Sequence, residues 1–192
     1  SNSMPATFWM IYNVLKSLKR DQMLQQIRDE IATYIPNYQQ FYEKHFLQQQ
    51  KDSDNNTTFI TVEQLDHMHF IDSIFTETLR LVTGSFFMRV VVEDGYEIET
   101  SSGDKYKFRK GDRLGIFPPL FHLDDEIFPN AKEFNPYRFM TSEDRPLEER
   151  IAAAQGKIPM KKNGKELNSS NVFLPFGAGI AYCPGRRFIR SE

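Results

Sequence analysis

The 192-residue sequence predicts a fold that is mainly α with small β-sheets (α+β). Apolar residues recur at helical spacing between residues 5 and 81, and short runs rich in β-branched and aromatic residues occupy residues 86–118. Hydrophobic residues make up 40% of the chain and aromatic residues 14%, which is enough apolar material for a packed core. Wholesale disorder is therefore excluded.

Residues 5–18 and 21–34 are predicted to form two amphipathic helices. In the second helix, apolar residues recur at offsets of 0, 3, 7 and 10, and Pro36 ends it. The apolar face of the first helix consists of Phe8, Trp9, Ile11, Tyr12 and Leu15, and that of the second of Leu24, Ile27, Ile31 and Tyr34. The polar tract 48–58 cannot bury enough apolar surface to order itself, so a mobile surface loop is expected there.

Thr61 and Gln64 match a capping box, which predicts the start of a short helix. A longer helix is predicted over residues 70–81, and Gly84 marks the change to strands. The predicted strands are residues 87–92, 96–100, 106–109 and 113–117, the last one stopped by Pro118 and Pro119. Residues 140–171 are predicted to be irregular and charged, with one candidate short helix over residues 147–154.

Charge and cysteine usage exclude several classes of protein. The formal net charge is −2, from 24 Lys and Arg against 26 Asp and Glu, which gives no electrostatic footprint for nucleic acid. Cys183 is the single cysteine, so no intrachain disulfide can form, and four dispersed histidines do not indicate a zinc site. No apolar run reaches the about 18 residues of a membrane span.

The two ends indicate a piece of a longer protein. The chain begins with Ser1 rather than Met, is core-like by Phe8, and has no leader or signal peptide. It closes on residues 186–192, which read as a helix cut short. We therefore expect a fragment, and the absence of targeting or membrane segments applies only to this piece.

Cys183 follows a glycine-rich loop and precedes a predicted helix. Gly177, Gly179 and Gly185 lack side chains, so their backbone can approach a flat ligand closely or take positive φ. Pro184 suits the first helical position, which makes Cys183 the N-cap, where free N–H groups and the helix dipole stabilise a thiolate. Such a thiolate is a competent axial ligand for haem iron. On residue type alone, a buried structural cysteine is the favoured alternative.

Glu77 and Arg80 lie three residues apart on the helix predicted over residues 70–81, so their side chains face the same way. Arg138 can join them from a following loop, because two guanidinium groups on one carboxylate satisfy a buried charge well. Without further context, a solvated surface pair worth ~0–1 kcal/mol is the favoured alternative.

Three motifs, taken in order, resemble those of the cytochrome P-450 superfamily. Residues 77–80, Glu-Thr-Leu-Arg, match the family's E-x-x-R helix. Residues 134–139, Phe-Asn-Pro-Tyr-Arg-Phe, resemble its aromatic-Arg motif, and residues 176–185 resemble its haem-binding signature, with Phe, Gly, Cys and Gly in register. The resemblance covers essentially the whole chain and implies a cytochrome P-450 fold, C-terminal portion only. Residues 1–192 would then be the C-terminal part of a single haem-binding domain, from the end of the distal helix to the helix after the haem ligand.

The resemblance implies a set of haem-binding and supporting residues. Cys183 would be the proximal ligand of the iron of haem b, and Arg89, on the strand beside the haem edge, would pair with a propionate. Two residues before the cysteine the family usually has Arg, but this chain has Ala181, so Arg89 or groups outside the fragment must compensate. Beside the ligand, the resemblance implies that Phe176, Gly177, Gly179, Pro184 and Gly185 bind the cofactor. It also implies a structural trio that pins the cysteine loop: Glu77, Arg80 and Arg138.

The first nine residues narrow the resemblance. Most family members carry an acid-alcohol pair here, which relays protons to dioxygen, but this chain has Asn2 followed by Ser3. This pattern is similar to that of the group of sterol 7α-hydroxylases, sterol 12α-hydroxylases and prostacyclin synthase. Residues 111–119, residues 122–124 (His-Leu-Asp) and Ala181 resemble the same group. Asn2 can hold a water and Ser3 has a hydroxyl, so both are candidate catalytic residues. The alternative is that Asn2 only caps a cut helix.

By resemblance, the full protein is a monooxygenase that hydroxylates a sterol or related lipid with dioxygen and NADPH-derived electrons from a partner reductase. The resemblance also implies that the full protein is held at the endoplasmic reticulum membrane by an N-terminal anchor that lies outside this chain. The alternatives are a haem-thiolate isomerase of a lipid endoperoxide, or a truncated remnant that binds no haem. We expect the isolated chain to be inactive and not to fold alone, because haem is gripped from both halves.

The remaining candidates are weaker. The loop from Gly177 to Tyr182 lacks the third glycine of a dinucleotide-binding loop. His67 and His69 would point apart on a helix and would not share a metal. A solvated loop is the default reading of the basic cluster Lys157, Lys161, Lys162 and Lys165. A positive patch that could dock an acidic electron donor consists of Arg186, Arg187 and Arg190.

Overall fold

A computed structural model describes residues 3–43, 60–84, 86–100, 102–140, 161–162, 164–167, 172–177, 179 and 182–185. The helices in these ranges are α1 (Ser3–Lys16), α2 (Arg20–Tyr34), α3 (Tyr38–Tyr42), α4 (Val62–Asp66), α5 (His69–Val82) and α6 (Pro119–His122). The strands are β1 (Phe87–Val90), β2 (Tyr96–Glu99), β3 (Lys105–Phe108), β4 (Arg113–Ile116), β5 (Lys161–Lys162) and β6 (Lys165–Glu166). The prediction of a mainly α fold with small sheets is confirmed for this part of the chain.

The strands form three two-stranded antiparallel ribbons, β1 with β4, β2 with β3, and β5 with β6. In the first ribbon Arg89 lies opposite Leu114, and in the second Glu97 lies opposite Lys107. The ribbon β1–β4 follows directly on α5 and leads into α6. It therefore connects the helix that carries the E-x-x-R motif to the segment that contacts it.

The helices α2 and α5 begin and end within one residue of the bounds that the sequence predicts, and α4 begins directly after Thr61 as predicted. The capping box is confirmed, because Thr61 Oγ1 accepts the Gln64 N–H at 3.3 Å and Gln64 Oε1 accepts the Thr61 N–H at 2.8 Å. The N-terminus of α5 is capped from another helix, since the two carboxylate oxygens of Glu30 accept the N–H groups of Phe70 and Ile71. Long-range capping of this kind leaves no local sequence signal.

The apolar face predicted for α1 is not the face that packs. Phe8, Ile11 and Leu15 are exposed, and the helix is buried instead through Ala6 and Val14. Phe8, Trp9 and Tyr12 contact one another through stacked and edge-on ring pairs. The helix is apolar on more than one side, so periodicity alone does not select the side that meets α5.

Four short elements were not predicted, namely α3, α6, β5 and β6. Each has five residues or fewer, which is too short for a periodic pattern. The predicted loop over residues 48–58 and the predicted helix over residues 147–154 lie outside the described residues. Within the described ranges, no helix has the length and apolarity needed to cross a membrane.

Two apolar clusters hold the described residues together. The first joins α1, α2 and α5 to the loop after Phe134, and consists of Val14, Met23, Phe70, Ile74, Tyr137 and Met140. The second joins the loop after α6 to the segment that leads to the cysteine, and consists of Ile127, Phe128, Ala131 and Val172. The E-x-x-R end of α5 lies against the second cluster, because the Arg80 guanidinium is 5.3 Å from the centre of the Phe128 ring.

Candidate functional site

The carboxylate of Glu77 lies at the centre of a buried ionic trio. Glu77 and Arg80 on α5 are both 0% exposed, and Arg138 is 7% exposed. Arg80 donates from Nε to Glu77 Oε2 at 2.7 Å and from Nη2 to Oε1 at 2.8 Å. Arg138 donates from Nε to both oxygens at 3.1 Å. The one-turn spacing of Glu77 and Arg80 on α5 makes the two-point contact between their side chains possible.

The remaining donors of the two guanidinium groups bind backbone carbonyls of residues 122–133. Arg80 Nη1 donates to the carbonyls of Ala131, at 2.6 Å, and of His122. Arg138 Nη1 donates to the carbonyl of Pro129 at 2.9 Å. Burial lowers the pKa of the Arg138 guanidinium, whereas the adjacent Glu77 carboxylate raises it. The trio therefore fixes the loop after α6 against α5 through side-chain to backbone bonds.

The loop that carries the aromatic-Arg motif is also bound to α5. The Asn135 N–H donates to Glu77 Oε1 at 3.0 Å, and the hydroxyl of Ser73, one turn earlier, donates to the Pro136 carbonyl at 2.6 Å. The Phe139 N–H donates in turn to Ser73 Oγ at 3.2 Å. Helix α5 thus holds this loop at both ends of the motif.

His122 is a buried residue that the sequence analysis did not select as part of the site. Its ring is 0% exposed and packs at 5.4 Å against the ring of Phe173. Nε2 accepts the N–H of Leu174 at 3.0 Å, and Nδ1 lies 3.1 Å from the carbonyl oxygen of Arg80. The sequence signal that could have found it is a histidine within the otherwise apolar run Leu120–Leu123. A polar ring in such a run is expected to need hydrogen-bond partners if it is buried.

The segment from Phe173 to Gly185 contains the cysteine loop. Cys183 is half-buried, and its backbone N–H donates to the Phe176 carbonyl at 2.9 Å. Gly177 and Gly179 adopt φ values of 83° and 64°, which residues with a side chain rarely adopt. Pro184 and Gly185 follow in a turn. The rest of the predicted helix that would make Cys183 an N-cap, residues 186–192, lies outside the described residues, so the N-cap stays a prediction.

An open groove of about 980 Å³ runs between the β1–β4 ribbon, the β2 strand and the cysteine segment. Leu174 and Gly179 line it on the cysteine side, and Val91, Leu114 and Arg89 line it on the ribbon side. Arg89 is exposed, and its Nη1 donates to the Met88 carbonyl at 2.9 Å. Arg113 and Glu93 are the other charged residues of the lining. A largely apolar groove with two arginines at its side is suited to a flat apolar ligand that carries carboxylates.

These residues fit a haem group. The loop offers a thiol as a soft ligand for iron, and it contains two glycines with positive φ, at whose positions the backbone carries no side chain. Leu174 from the cysteine segment and Arg89 from the ribbon line the same groove. The cysteine segment therefore supplies an iron ligand, and the groove that Leu174 and Gly179 of the same segment line supplies an apolar wall and a partner for a carboxylate.

The structure describes some of the remaining predicted residues and not others. Asn2, Ala181 and the arginine patch 186–190 lie outside the described residues. Ser3 is the first residue of α1. His67 and His69 lie at the junction of α4 and α5 with their rings 6.5 Å apart and edge-on, and His67 stacks on Tyr34. The structure thus describes the cysteine side of the predicted site, whereas the proposed proton-handling residues stay predictions.

Comparison with known proteins places the geometry in a family. The model of the family described as Cytochrome P450 matches residues 2–192. Cytochrome P450 7B1 of Mus musculus is 34% identical over 193 residues, covering 100% of this chain and 32% of that protein. The 25-hydroxycholesterol 7-alpha-hydroxylase of Rattus norvegicus is 33% identical, covering 100% of this chain and 40% of that protein. The 5-beta-cholestane-3-alpha,7-alpha-diol 12-alpha-hydroxylase of Sus scrofa is 32% identical, covering 100% and 33% respectively.

The chain therefore spans between about a third and two fifths of the length of these curated relatives. The resemblance to the cytochrome P-450 superfamily, predicted from three motifs, is confirmed, and so is the narrower resemblance to the sterol hydroxylase group. Because the family model covers almost every residue, the chain belongs to the cytochrome P450 family.

Proposed function

We propose that the full-length protein is a haem-thiolate monooxygenase that hydroxylates a sterol or related lipid. The observation that carries the proposal is the cysteine loop of a cytochrome P450 chain, with a half-buried Cys183 after glycines of positive φ. The reaction would consume dioxygen and NADPH-derived electrons supplied by a partner reductase.

In this proposal, residues 1–192 are the C-terminal, cysteine-bearing part of one haem domain. The alignments support it, because the whole chain matches relatives that are much longer. The exposed aromatic face of α1 supports it too, since Phe8, Trp9 and Tyr12 form an apolar surface that the rest of such a domain would cover.

The cysteine segment and the β1–β4 ribbon would hold haem b between them. Cys183 would ligate the iron through its thiolate, and Arg89 would neutralise a propionate across the groove. The loop residues that would lie along the macrocycle are Phe176, Gly177, Gly179, Pro184 and Gly185. When bound, a thiolate-ligated haem supplies the oxygen activation that no protein side chain provides.

The protein's own contribution would be positioning, support and proton handling. Glu77 would hold Arg80 and Arg138 in place, and the two arginines bind backbone carbonyls of residues 122–133. That stretch packs against Val172 and Phe173, so the trio would support the segment that leads to the cysteine. At the opposite side, the Asn2 amide would hold a water and the Ser3 hydroxyl would pass a proton toward dioxygen. Support for this last role comes from the position of Ser3 at the start of α1 and from the sequence pattern.

The substrate class follows from what the relatives are named for. Two of them carry the names of a 25-hydroxycholesterol hydroxylase and a cholestane-diol hydroxylase, both of which act on sterols. We extend this class, though not a particular sterol or position, to the full-length protein. The same analogy places it at the endoplasmic reticulum membrane, held by an N-terminal anchor and served by a reductase there.

Turnover of a defined sterol tests the proposal. The full-length protein would be purified with a cytochrome P450 reductase and incubated with 25-hydroxycholesterol and cholesterol as probes. We expect a hydroxylated product that requires NADPH and whose formation matches sterol-dependent NADPH consumption. Conversion of a lipid endoperoxide without NADPH would replace the proposal by the isomerase alternative. Failure to incorporate haem would indicate a non-catalytic remnant.

A further inference from the structure

We infer that His122 is a positioning residue for the cysteine loop, because its ring joins the backbone of Arg80 in α5 to the backbone of Leu174. Leu174 lies nine residues before Cys183, at the start of the segment that leads to it. The inference deepens the proposed haem-thiolate function and rests on it. It concerns how the chain holds the ligand, and it adds a residue outside the trio of Glu77, Arg80 and Arg138.

The hydrogen bonds of His122 require one particular state of the ring. A backbone N–H can only donate, so Nε2, which lies 3.0 Å from the Leu174 nitrogen, must be unprotonated. A carbonyl oxygen can only accept, so Nδ1, which lies 3.1 Å from the Arg80 oxygen, must carry the proton. The two contacts together select the neutral ring with its proton on Nδ1.

The surroundings of His122 favour the same neutral state. Burial lowers the pKa of the ring to about 4, the carbonyl bond to Arg80 opposes the shift, and the positive charge of Arg80 adds to it. The charged group that faces the ring is thus the Arg80 guanidinium of α5, which also donates to the carbonyl of His122 itself. The rings of Phe128 and Phe173, which pack against it from the following segments, are uncharged.

The contact at Leu174 continues to the cysteine through backbone hydrogen bonds. The Gly177 N–H donates to the Leu174 carbonyl at 3.3 Å, which closes the turn that contains Phe176. The Cys183 N–H donates to the Phe176 carbonyl at 2.9 Å. A displacement of Leu174 would therefore displace Cys183 as well, because two hydrogen bonds and one turn connect them. Leu174 itself lines the groove.

Three substitutions separate the two bonds of the ring. His122→Gln can place an amide oxygen near the position of Nε2 and retain the bond to Leu174, whereas His122→Asn reaches only the position of Nδ1. His122→Phe fills the space and makes neither bond. If His122 positions the cysteine loop, His122→Gln should preserve the position of the loop and His122→Asn should not. His122→Phe should disturb it most. If the ring of His122 only fills space, His122→Phe should disturb the cysteine loop least of the three variants.

The readout is the carbon monoxide difference spectrum of the reduced, full-length haem protein, followed over time at a mild urea concentration. For His122→Phe we expect conversion from the thiolate-type to the non-thiolate band to be about thirtyfold faster, since two lost hydrogen bonds of about 1 kcal/mol each correspond to that factor. His69→Phe, at an exposed histidine at the start of α5, serves as the matched control and should convert at the wild-type rate.

Val14→Ala, in the cluster remote from the cysteine, separates positioning from general loss of stability. It should lower the urea midpoint and leave the conversion rate at a given fraction folded unchanged. Equal conversion rates for Val14→Ala and His122→Phe at equal fraction folded, or rescue by Asn rather than Gln, would overturn the inference. A wild-type protein without a thiolate-type band would overturn the proposed function as well.

Discussion

Glu77→Gln tests the buried trio most severely, because it removes the charge and preserves the shape. In the native site the carboxylate accepts from two N–H groups of Arg80, from Nε of Arg138 and from the backbone N–H of Asn135. An amide keeps one oxygen and replaces the other by an N–H₂ group that faces a guanidinium donor. Two buried cations then lack a counter-charge, which is the costliest arrangement for such a site.

The expected loss is large on the scale of a domain's stability. Breaking a buried ion pair by removing one partner costs about 3–5 kcal/mol. Native proteins have a free energy of unfolding of about 5–15 kcal/mol, so this single change removes a substantial share. A matched control is Glu97→Gln, whose carboxylate lies within 3.9 Å of Lys105 and 3.6 Å of Lys107 on the surface of the β2–β3 ribbon. Exposed ion pairs such as these two contribute ~0–1 kcal/mol to the free energy of unfolding.

Urea unfolding of the full-length haem-loaded protein, followed by circular dichroism, measures the difference. Glu77→Gln should lower the free energy of unfolding by about 3 kcal/mol or more, and Glu97→Gln by less than about 1 kcal/mol. Raising the salt concentration should reduce the stability loss of Glu97→Gln, whose ion pairs are exposed, and leave the loss of Glu77→Gln unchanged. Similar losses for the two variants would refute the reasoning, because they would mean that the carboxylate of Glu77 is solvated.

Three further predictions concern single residues. His122 has a folded-state pKa of about 4, below its usual 6.5, so between these pH values the ring binds a proton in the unfolded chain and not in the folded one. As the pH falls from 6.5 to 4, the free energy of unfolding should therefore decrease by up to about 3 kcal/mol. Glu30→Gln weakens the cap on two N–H groups of α5 and should cost about 1 kcal/mol in urea unfolding. Arg89→Gln should release haem about tenfold faster to a haem-scavenging globin, as expected for one lost charge-assisted hydrogen bond.

Each of these has a control and a contrary result. The pH slope of the urea midpoint should be shallower in His122→Gln, and an unchanged slope would assign the acid sensitivity to other groups. Glu63→Gln, at an exposed position in the first turn of α4, is the control for Glu30, and equal effects would contradict the capping role. For Arg89 the control is Arg109→Gln on the exposed turn after β3, and equal rates of haem loss would contradict the propionate contact.

The sequence predicts the fold best where a local rule decides the structure. The helical stripe of α2, the capping box before α4 and the length of α5 depend on spacing within one element, and all three are confirmed. The face of α1 is different, because its packing depends on which of several apolar sides meets α5. That choice is made by tertiary contacts of Ala6 and Val14, which are among the smaller apolar residues of the helix.

The candidate site divides in the same way. The spacing of Glu77 and Arg80 could be read from the sequence, and the order of the motifs identified Arg138 as a third member. Their other partners are backbone carbonyls, such as those of Pro129 and Ala131, and any residue type supplies a carbonyl. His122 was missed for this reason, since both of its partners are backbone groups.

The carbon monoxide difference spectrum of the reduced full-length protein shows directly whether Cys183 holds a haem through its thiolate. Wild type and Cys183→Ser should be compared at equal haem content. We predict a thiolate-type Soret band in the wild type that the substitution abolishes. A thiolate-type band that survives in Cys183→Ser would contradict the assignment of Cys183, because the ligand would then lie elsewhere in the protein.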